Sequence, residues 1–166
     1  MFFTPIGIAR SPLTTPGAPP FQGTFSQAEG IIEIFPEYLE GLESIHGFSH
    51  LIIISHFDRA DMSCLVELPL SDGDTPHGIF ATRHYNRPNP IGISYVELLR
   101  REQGTLYVRG IDLLDNTPVL DIKPYIPAFD SIPHAVTGWV TAQHIDRIRE
   151  TSIRAQKGVH SVPQHH

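Results

Sequence analysis

Apolar and polar residues alternate in short segments that prolines and glycines separate along much of the chain. Alternation of this kind is typical of strands with one buried face. It predicts strands at Phe2–Ala9, Gly30–Phe35, Gly78–Thr82, Ile91–Leu99, Thr105–Ile111 and Val119–Ile122. Short strands joined by many turns predict a mainly β fold.

Three segments depart from this alternation. Phe48–Phe57 contains the continuous apolar run Leu51–Ile54, which predicts a strand covered on both faces. Pro36–Ile45 predicts a short helix, since proline suits the first helical turn and Gly47 can end the helix. Thr137–Gln156 predicts a C-terminal helix, whose loose apolar stripe consists of Trp139, Ile145, Ile148 and Ile153.

The remaining segments carry no regular pattern. Leu13–Gly23, Asp58–His77 and Pro124–Pro133 are rich in prolines or turn-forming residues and predict loops. We expect Gly158–His166 to be a disordered tail. No internal repeat or second domain is indicated.

The 166 residues, of which 40% are hydrophobic and 18% charged, are enough for one domain with a buried hydrophobic core. The single cysteine, Cys64, excludes an intrachain disulfide and fits a reducing cytoplasm. The apolar runs are too short to cross a bilayer, and the N-terminus lacks a secretory signal pattern. We therefore expect a cytoplasmic protein without membrane association.

The net charge of −6 argues against a broadly basic nucleic-acid-binding protein. The charges are unevenly distributed, however. Acidic residues without any Lys or Arg among them follow Arg10, at Glu29, Glu33, Glu37, Glu40 and Glu43. Basic residues concentrate in the middle, at Arg83, Arg87, Arg100, Arg101, Arg109 and Lys123. Opposite acidic and basic faces would permit local phosphate contacts.

The segment Gly78–Leu98 carries the clearest candidate chemistry. It places Arg83 and Arg87 beside the turn Pro88-Asn89-Pro90, between predicted strands. Prolines fix such a loop, and a fixed loop with cations and amides suits an anionic or highly polar ligand. A proline-rich connection with incidental surface arginines explains the same residues.

Other site classes find little support. The chain has no glycine-rich Rossmann turn, no phosphate-binding loop and no Gly-x-Ser-x-Gly elbow. His46 and His50 are four residues apart, but Gly47 interrupts the helix that would pair them. We therefore expect no metal site.

The string GIFATRHYNRPNPIGIS resembles the TrmO family of S-adenosylmethionine-dependent tRNA methyltransferases, as does DLLDNTPVLDIKPY over Asp112–Tyr125. PIGIARSP near the start and GFSHL in the middle extend the resemblance across most of residues 5–130. It implies a single closed or nearly closed β-barrel with short helices, unlike Rossmann-type methyltransferases, that pairs as a homodimer. The resemblance implies S-adenosylmethionine as the cofactor and tRNA as the substrate.

On this basis we expect the barrel domain over residues 1–135, a helical extension over 136–157 and the tail over 158–166. Longer members of the family carry a further C-terminal domain, which we expect to be absent or reduced here. They also have Pro-Arg-Gln in the first loop, where this chain has Pro20-Phe21-Gln22. Phe21 could stack on a base or fill the barrel mouth.

The resemblance also implies roles for individual residues. The expected cofactor-binding residues are Gln22, Gly23, His56, Phe57, Arg83, Ile93, Gly110, Ile111 and Asp112. The expected substrate-binding residues are Arg87, Asn89, Arg109 and Lys123. Asp115 and Asp121 are the candidate catalytic carboxylates, although each also fits a structural aspartate in a turn or at a strand end.

The implied reaction is methylation of N6 of threonylcarbamoyladenosine at position 37 of a tRNA. This nitrogen is conjugated to a carbonyl, so a base or an acceptor hydrogen bond should assist its attack. Three other interpretations remain: methylation of a small molecule, a non-catalytic dimer that binds S-adenosylmethionine, and a structural barrel dimer without a ligand.

Overall fold

The computed structural model describes residues 2–15, 22–60, 64–67 and 75–159, the side chains of Glu67 and of residues 155–159 excepted. Its centre is a closed β-barrel of six strands, which confirms the predicted fold class. The barrel strands are β1 (Gly7–Arg10), β2 (Glu29–Ile34), β3 (His50–His56), β6 (Ile91–Glu102), β7 (Thr105–Arg109) and β8 (Thr117–Pro124). The short strands β4 (Val66–Glu67) and β5 (His77–Gly78) form a separate ladder.

The barrel strands follow each other in the order β1, β2, β7, β6, β3, β8, and every neighbouring pair is antiparallel. Pairing of Gly7 with both Ile34 and Val119 closes the barrel. The inward positions carry aliphatic side chains that form one core, namely Ala9, Ile32, Leu51, Ile53, Val96, Leu106, Val108, Ile111 and Val119. This packed interior fixes the strands, and the candidate residues lie on these strands or in the segments that connect them.

The expectation that β3 is covered on both faces is wrong for the single chain. Its burial alternates, with Leu51, Ile53 and Ser55 buried in the barrel. Ile52 and Ile54 face outward and are only partly buried. The continuous apolar run of β3 therefore reflects an apolar outer surface of the barrel, which no other element of the described chain covers fully.

Two other predicted strands differ from the structure. Gly78–Thr82 is mostly a 3₁₀ helix over Ile79–Ala81, held by hydrogen bonds from the Thr82 amide and hydroxyl to the Ile79 carbonyl. The predicted first strand, Phe2–Ala9, is restricted to β1, the segment that pairs with β2 and β8. The predictions for β2, β6, β7 and β8 are confirmed within a few residues.

The helices are shorter or shifted. Pro36–Leu42 is a 3₁₀ helix, and a second one, Ile45–Gly47, follows Ser44, which has a φ of 64°. A left-handed residue interrupts any continuous helix at this point. Helix α1 (Pro127–Asp130) is a single turn within the predicted loop.

The C-terminal helix α2 (Ala142–Val159) begins five residues later than predicted. The preceding residues form a turn in which Gly138 has a φ of 60° and the Val140 amide donates to the Thr137 carbonyl. Trp139 therefore lies before the helix and not on its apolar stripe. In the described part of the chain, no helix has the length and hydropathy needed to cross a membrane. Phe21 and most of the predicted tail lie outside the described residues.

Candidate functional site

The site begins with a contact between two loops that are distant in sequence. Nη1 of Arg83 donates a hydrogen bond of 2.6 Å to Oε1 of Gln22. Gln22 directly precedes a short 3₁₀ helix, Gly23–Phe25, whereas Arg83 follows the 3₁₀ helix Ile79–Ala81. The structure thus brings together two residues that the sequence analysis placed in the same site.

Asp112 fastens the first of these loops to the barrel. Its Oδ2 accepts a 2.8 Å hydrogen bond from the backbone N–H of Gly23, and its Oδ1 accepts from the hydroxyl of Ser94. Ser94 is a buried residue on an inward position of β6. Both carboxylate oxygens therefore accept hydrogen bonds from the protein, and the bond to Gly23 fixes the position of the loop that contains Gln22.

Close backbone approach explains the two glycines of the site. A Cβ atom on Gly23 would lie 2.4 Å from the carbonyl oxygen of Gly110 and 3.1 Å from Oδ2 of Asp112. Gly110 itself has a φ of 86°, a conformation that residues with a side chain adopt with strain. We name the assembly of Gln22, Gly23, Arg83, Ser94, Gly110 and Asp112 the Arg83 cluster.

Burial raises the pKa of the Asp112 carboxyl above its ordinary value. The hydrogen bonds from Ser94 and Gly23 and the positive charge of Arg83 oppose this rise without cancelling it. The cluster therefore pairs an exposed cation with a carboxyl group that ionises less readily than one in water. Such an arrangement suits a zwitterionic ligand that carries its own carboxylate to the arginine.

The other predicted cofactor residues lie on or directly after the paired strands β3 and β6, and in the core. His56 is exposed at the end of β3, and the Phe57 ring occupies the space where a Cβ on Gly92 would lie. Ile111 is fully buried in the core. Ile93 is 56% exposed on the outer face of β6, whereas its neighbour Ser94 points inward to Asp112. Within one chain, Ile93 thus faces away from the cluster.

The predicted substrate-binding cations already make internal contacts. Nη1 of Arg87 donates to the carbonyls of Thr82 and His84 at 3.2 and 3.3 Å, which braces the loop that carries Arg83. Arg109 forms ion pairs with Glu29 and Glu97.

Lys123 pairs with Asp121 at 2.8 Å. Asn89 is exposed in the proline turn. The acidic and basic faces are not fully separated, because Arg109 pairs with Glu29 and Arg10 with Glu33.

The two candidate catalytic carboxylates also have structural partners. Oδ1 of Asp115 accepts from the Ser11 amide at 3.1 Å, and Oδ2 accepts from the Asn116 side chain at 2.8 Å. Oδ1 of Asp121 accepts from the Ile122 amide, beside the ion pair with Lys123. These contacts match the alternative role as turn and strand-end aspartates, and a catalytic role for either residue stays a prediction.

Two residues of this region were not predicted from the sequence: Ser94, which donates to Asp112, and Trp139, which contacts the loop of Arg83. Ser94 carried a signal in the small, inward residues of β6, where Gly92 and Ser94 alternate with Ile93. The indole of Trp139 donates to the Ala81 carbonyl, two residues before Arg83. That contact joins residues 58 positions apart and has no local signature.

Comparison with known proteins matches residues 8–131 to the family model described as the tRNA-methyltransferase O N-terminal domain. A probable S-adenosyl-L-methionine-binding protein of Pyrococcus abyssi is 47% identical over 139 residues, which cover 83% of this chain and 75% of that protein. The tRNA (adenine(37)-N6)-methyltransferase of Escherichia coli is 37% identical over 143 residues, which cover 80% of this chain but only 61% of that enzyme.

Among solved structures, TrmO from Pseudomonas aeruginosa superposes with a TM-score of 0.72 at 33% identity, covering 93% of this chain and 78% of that one. The Arg83 cluster and nearly all of the barrel lie within residues 8–131, the segment that the family model matches. The chain belongs to the tRNA-methyltransferase O N-terminal domain family.

Proposed function

We propose that the protein is a methyltransferase that uses S-adenosylmethionine and acts on an adenine N6 atom of tRNA. The observation that carries this proposal is the Arg83 cluster, which lies in the segment matched to the family. The names of two relatives support the cofactor and the substrate of this proposal. One is a probable S-adenosyl-L-methionine-binding protein, and the other is a tRNA (adenine(37)-N6)-methyltransferase.

Arg83 would bind the carboxylate of the methionine part of the cofactor. A guanidinium has five N–H donors, and the contact with Gln22 uses one of them, so a bidentate pair with a carboxylate remains available. Asp112 acts mainly through Gly23, because its two oxygens hold Gly23 and Ser94. In this proposal Asp112 positions the loop, and Gln22 and the Gly110 backbone line the cofactor site.

Methyl transfer from a sulfonium requires in-line approach of the nucleophile and exclusion of water more than proton transfer. For the finer assignment, we propose N6 of threonylcarbamoyladenosine as the nucleophile, with Asp115 or Asp121 as the group that assists its deprotonation. Arg87, Asn89, Arg109 and Lys123 would contact the tRNA. For Arg109 and Lys123 this requires that RNA phosphates compete with their present carboxylate partners.

We also propose that the protein works as a homodimer in the cytoplasm, where tRNA is modified. The supporting feature is an exposed apolar strip on β6, in which Ile91, Ile93 and Tyr95 are 40%, 56% and 37% exposed. Ile54 pairs with Ile93 and Ile52 with Tyr95, so β3 extends this strip. A second copy packed on this strip would also cover the outer face of β3, where Ile52 and Ile54 are only partly buried.

Replacing Ile93 by glutamate should therefore convert a dimer into a monomer, because a charge buried at an apolar interface is strongly unfavourable. Light scattering after size-exclusion chromatography measures this directly. Arg100→Glu on the same strand is the matched control and should stay dimeric. A monomeric unsubstituted protein, or a dimeric Ile93→Glu variant, would contradict the proposed interface.

One observation favours a second function, methylation of a small molecule or cofactor binding without catalysis. The chain is acidic, with a net charge of −6, which is unfavourable for broad contact with a polyanion such as RNA. Under this alternative the Arg83 cluster binds the cofactor and tRNA is not bound.

Incubation with methyl-labelled S-adenosylmethionine and total tRNA tests the main proposal. We expect label in the RNA, and nucleoside mass spectrometry should find it as a methyl group on an N6-substituted adenosine. tRNA binding should weaken as salt increases, because phosphate contacts release counterions. Cofactor binding without labelled RNA and without salt-dependent tRNA binding would reject tRNA as the substrate and favour the alternative.

A further inference from the structure

The C-terminal segment, residues 137–152, contacts both loops that meet in the Arg83 cluster. It lies beyond residues 8–131, which the family model matches. It carries Trp139 in the turn before α2 and Arg149 on the helix itself. Residues on both sides of the start of α2 therefore contact the region that holds Gln22 and Arg83.

Trp139 attaches to the Arg83 loop in two ways. Its indole Nε1 donates a 2.9 Å hydrogen bond to the carbonyl of Ala81. Its ring stacks on His77, with centroids 4.0 Å apart and an angle of 13° between the planes. Residues 77–81 lead to Arg83, and Trp139 contacts both the first and the last residue of this segment.

Helix α2 attaches to the Gln22 loop. The guanidinium of Arg149 lies 5.1 Å from the centroid of the Phe25 ring. Phe25 is joined to Gln22 by the hydrogen bond from its amide to the Gln22 carbonyl. Ser152 is fully buried one turn further along α2, which places this face of the helix against the protein.

We propose that Trp139 is a positioning residue for cofactor binding: the C-terminal segment holds the Arg83 and Gln22 loops in the arrangement that the ligand needs. This inference rests on the proposed function of the Arg83 cluster. Arg83 is exposed, so its geometry depends on the backbone beneath it. Fixing that backbone in advance lowers the entropy cost of ordering the loop when the ligand binds.

Calorimetric titration of the unsubstituted protein with S-adenosylmethionine gives the reference affinity. Trp139→Ala, which loses the hydrogen bond and the stacking, should bind the cofactor about tenfold more weakly. Trp139→Phe keeps an aromatic ring against His77 but lacks the N–H, and its affinity should fall between the two.

Phe129→Ala is the matched control, because Phe129 is an aromatic residue at 77% exposure on α1. Its affinity should equal that of the unsubstituted protein. Hydrogen exchange without ligand should be faster over residues 79–84 in Trp139→Ala and unchanged in Phe129→Ala. All titrations are made well below the melting temperature of each variant, so that loss of folded protein does not mimic weak binding.

The outcomes separate this inference from the proposed function. Normal cofactor affinity in Trp139→Ala, or an equal loss in Phe129→Ala, would overturn the role of Trp139 and leave the cofactor site standing. No binding to the unsubstituted protein would overturn the proposed cofactor site and this inference together.

Discussion

Replacing Arg83 by alanine is expected to weaken S-adenosylmethionine binding by about 10- to 100-fold. The reason is the loss of charge-assisted hydrogen bonds between the guanidinium and the ligand carboxylate, which contribute about 1.5–3 kcal/mol. Arg83 is exposed, and its side chain contacts Gln22 rather than the core. The melting temperature should therefore change little. Isothermal titration calorimetry of both proteins measures the effect.

Two further substitutions identify the cause of the loss. Arg83→Lys keeps the positive charge without the planar fork and should bind with intermediate affinity. Arg100→Ala removes an exposed arginine that lies over the Tyr107 ring on the barrel surface and should leave the affinity unchanged. If Arg83→Ala bound the cofactor as tightly as the unsubstituted protein, Arg83 would not belong to the cofactor site.

Most of the barrel could be predicted from local patterns, because each strand buries one face and alternation records that face. The errors arose where the pattern had another cause. The apolar run of β3 predicts two covered faces, whereas Ile52 and Ile54 line an outer surface of the single chain. Gly78–Thr82 alternates like a strand but pairs only through Gly78, because a 3₁₀ turn follows at once.

The site was predicted unevenly for a related reason. Gln22, Gly23, Arg83 and Asp112 were found through a family resemblance, and the structure brings them together. Their order in the sequence does not reveal that Asp112 holds Gly23, since this contact exists only once the barrel is closed. The Trp139 contact with Ala81 likewise spans 58 residues and depends on how the C-terminal segment folds back. Contacts of this kind follow from tertiary structure and leave no periodic signal.

Replacing Gly23 by alanine should reduce cofactor affinity more than tenfold and destabilise the protein by about 1–3 kcal/mol. The added Cβ would lie 2.4 Å from the Gly110 carbonyl oxygen, a backbone atom that cannot rotate away. The loop must then move outward, which lengthens the 2.8 Å bond to Asp112 and carries Gln22 away from Arg83. Calorimetry with S-adenosylmethionine and thermal unfolding measure the two effects.

Gly41→Ala is the matched control, because a Cβ at Gly41 meets no atom within 4 Å. Its stability and affinity should stay close to those of the unsubstituted protein. Asp112→Asn provides the complementary test, since its amide oxygen can still accept from the Gly23 N–H while the negative charge is lost. Near-normal affinity in Asp112→Asn with a large loss in Gly23→Ala would show that loop position matters more than the charge of Asp112. Equal, large losses in both would instead make Asp112 a direct ligand of the cofactor, and normal affinity in Gly23→Ala would show that the Gln22 loop plays no part in binding.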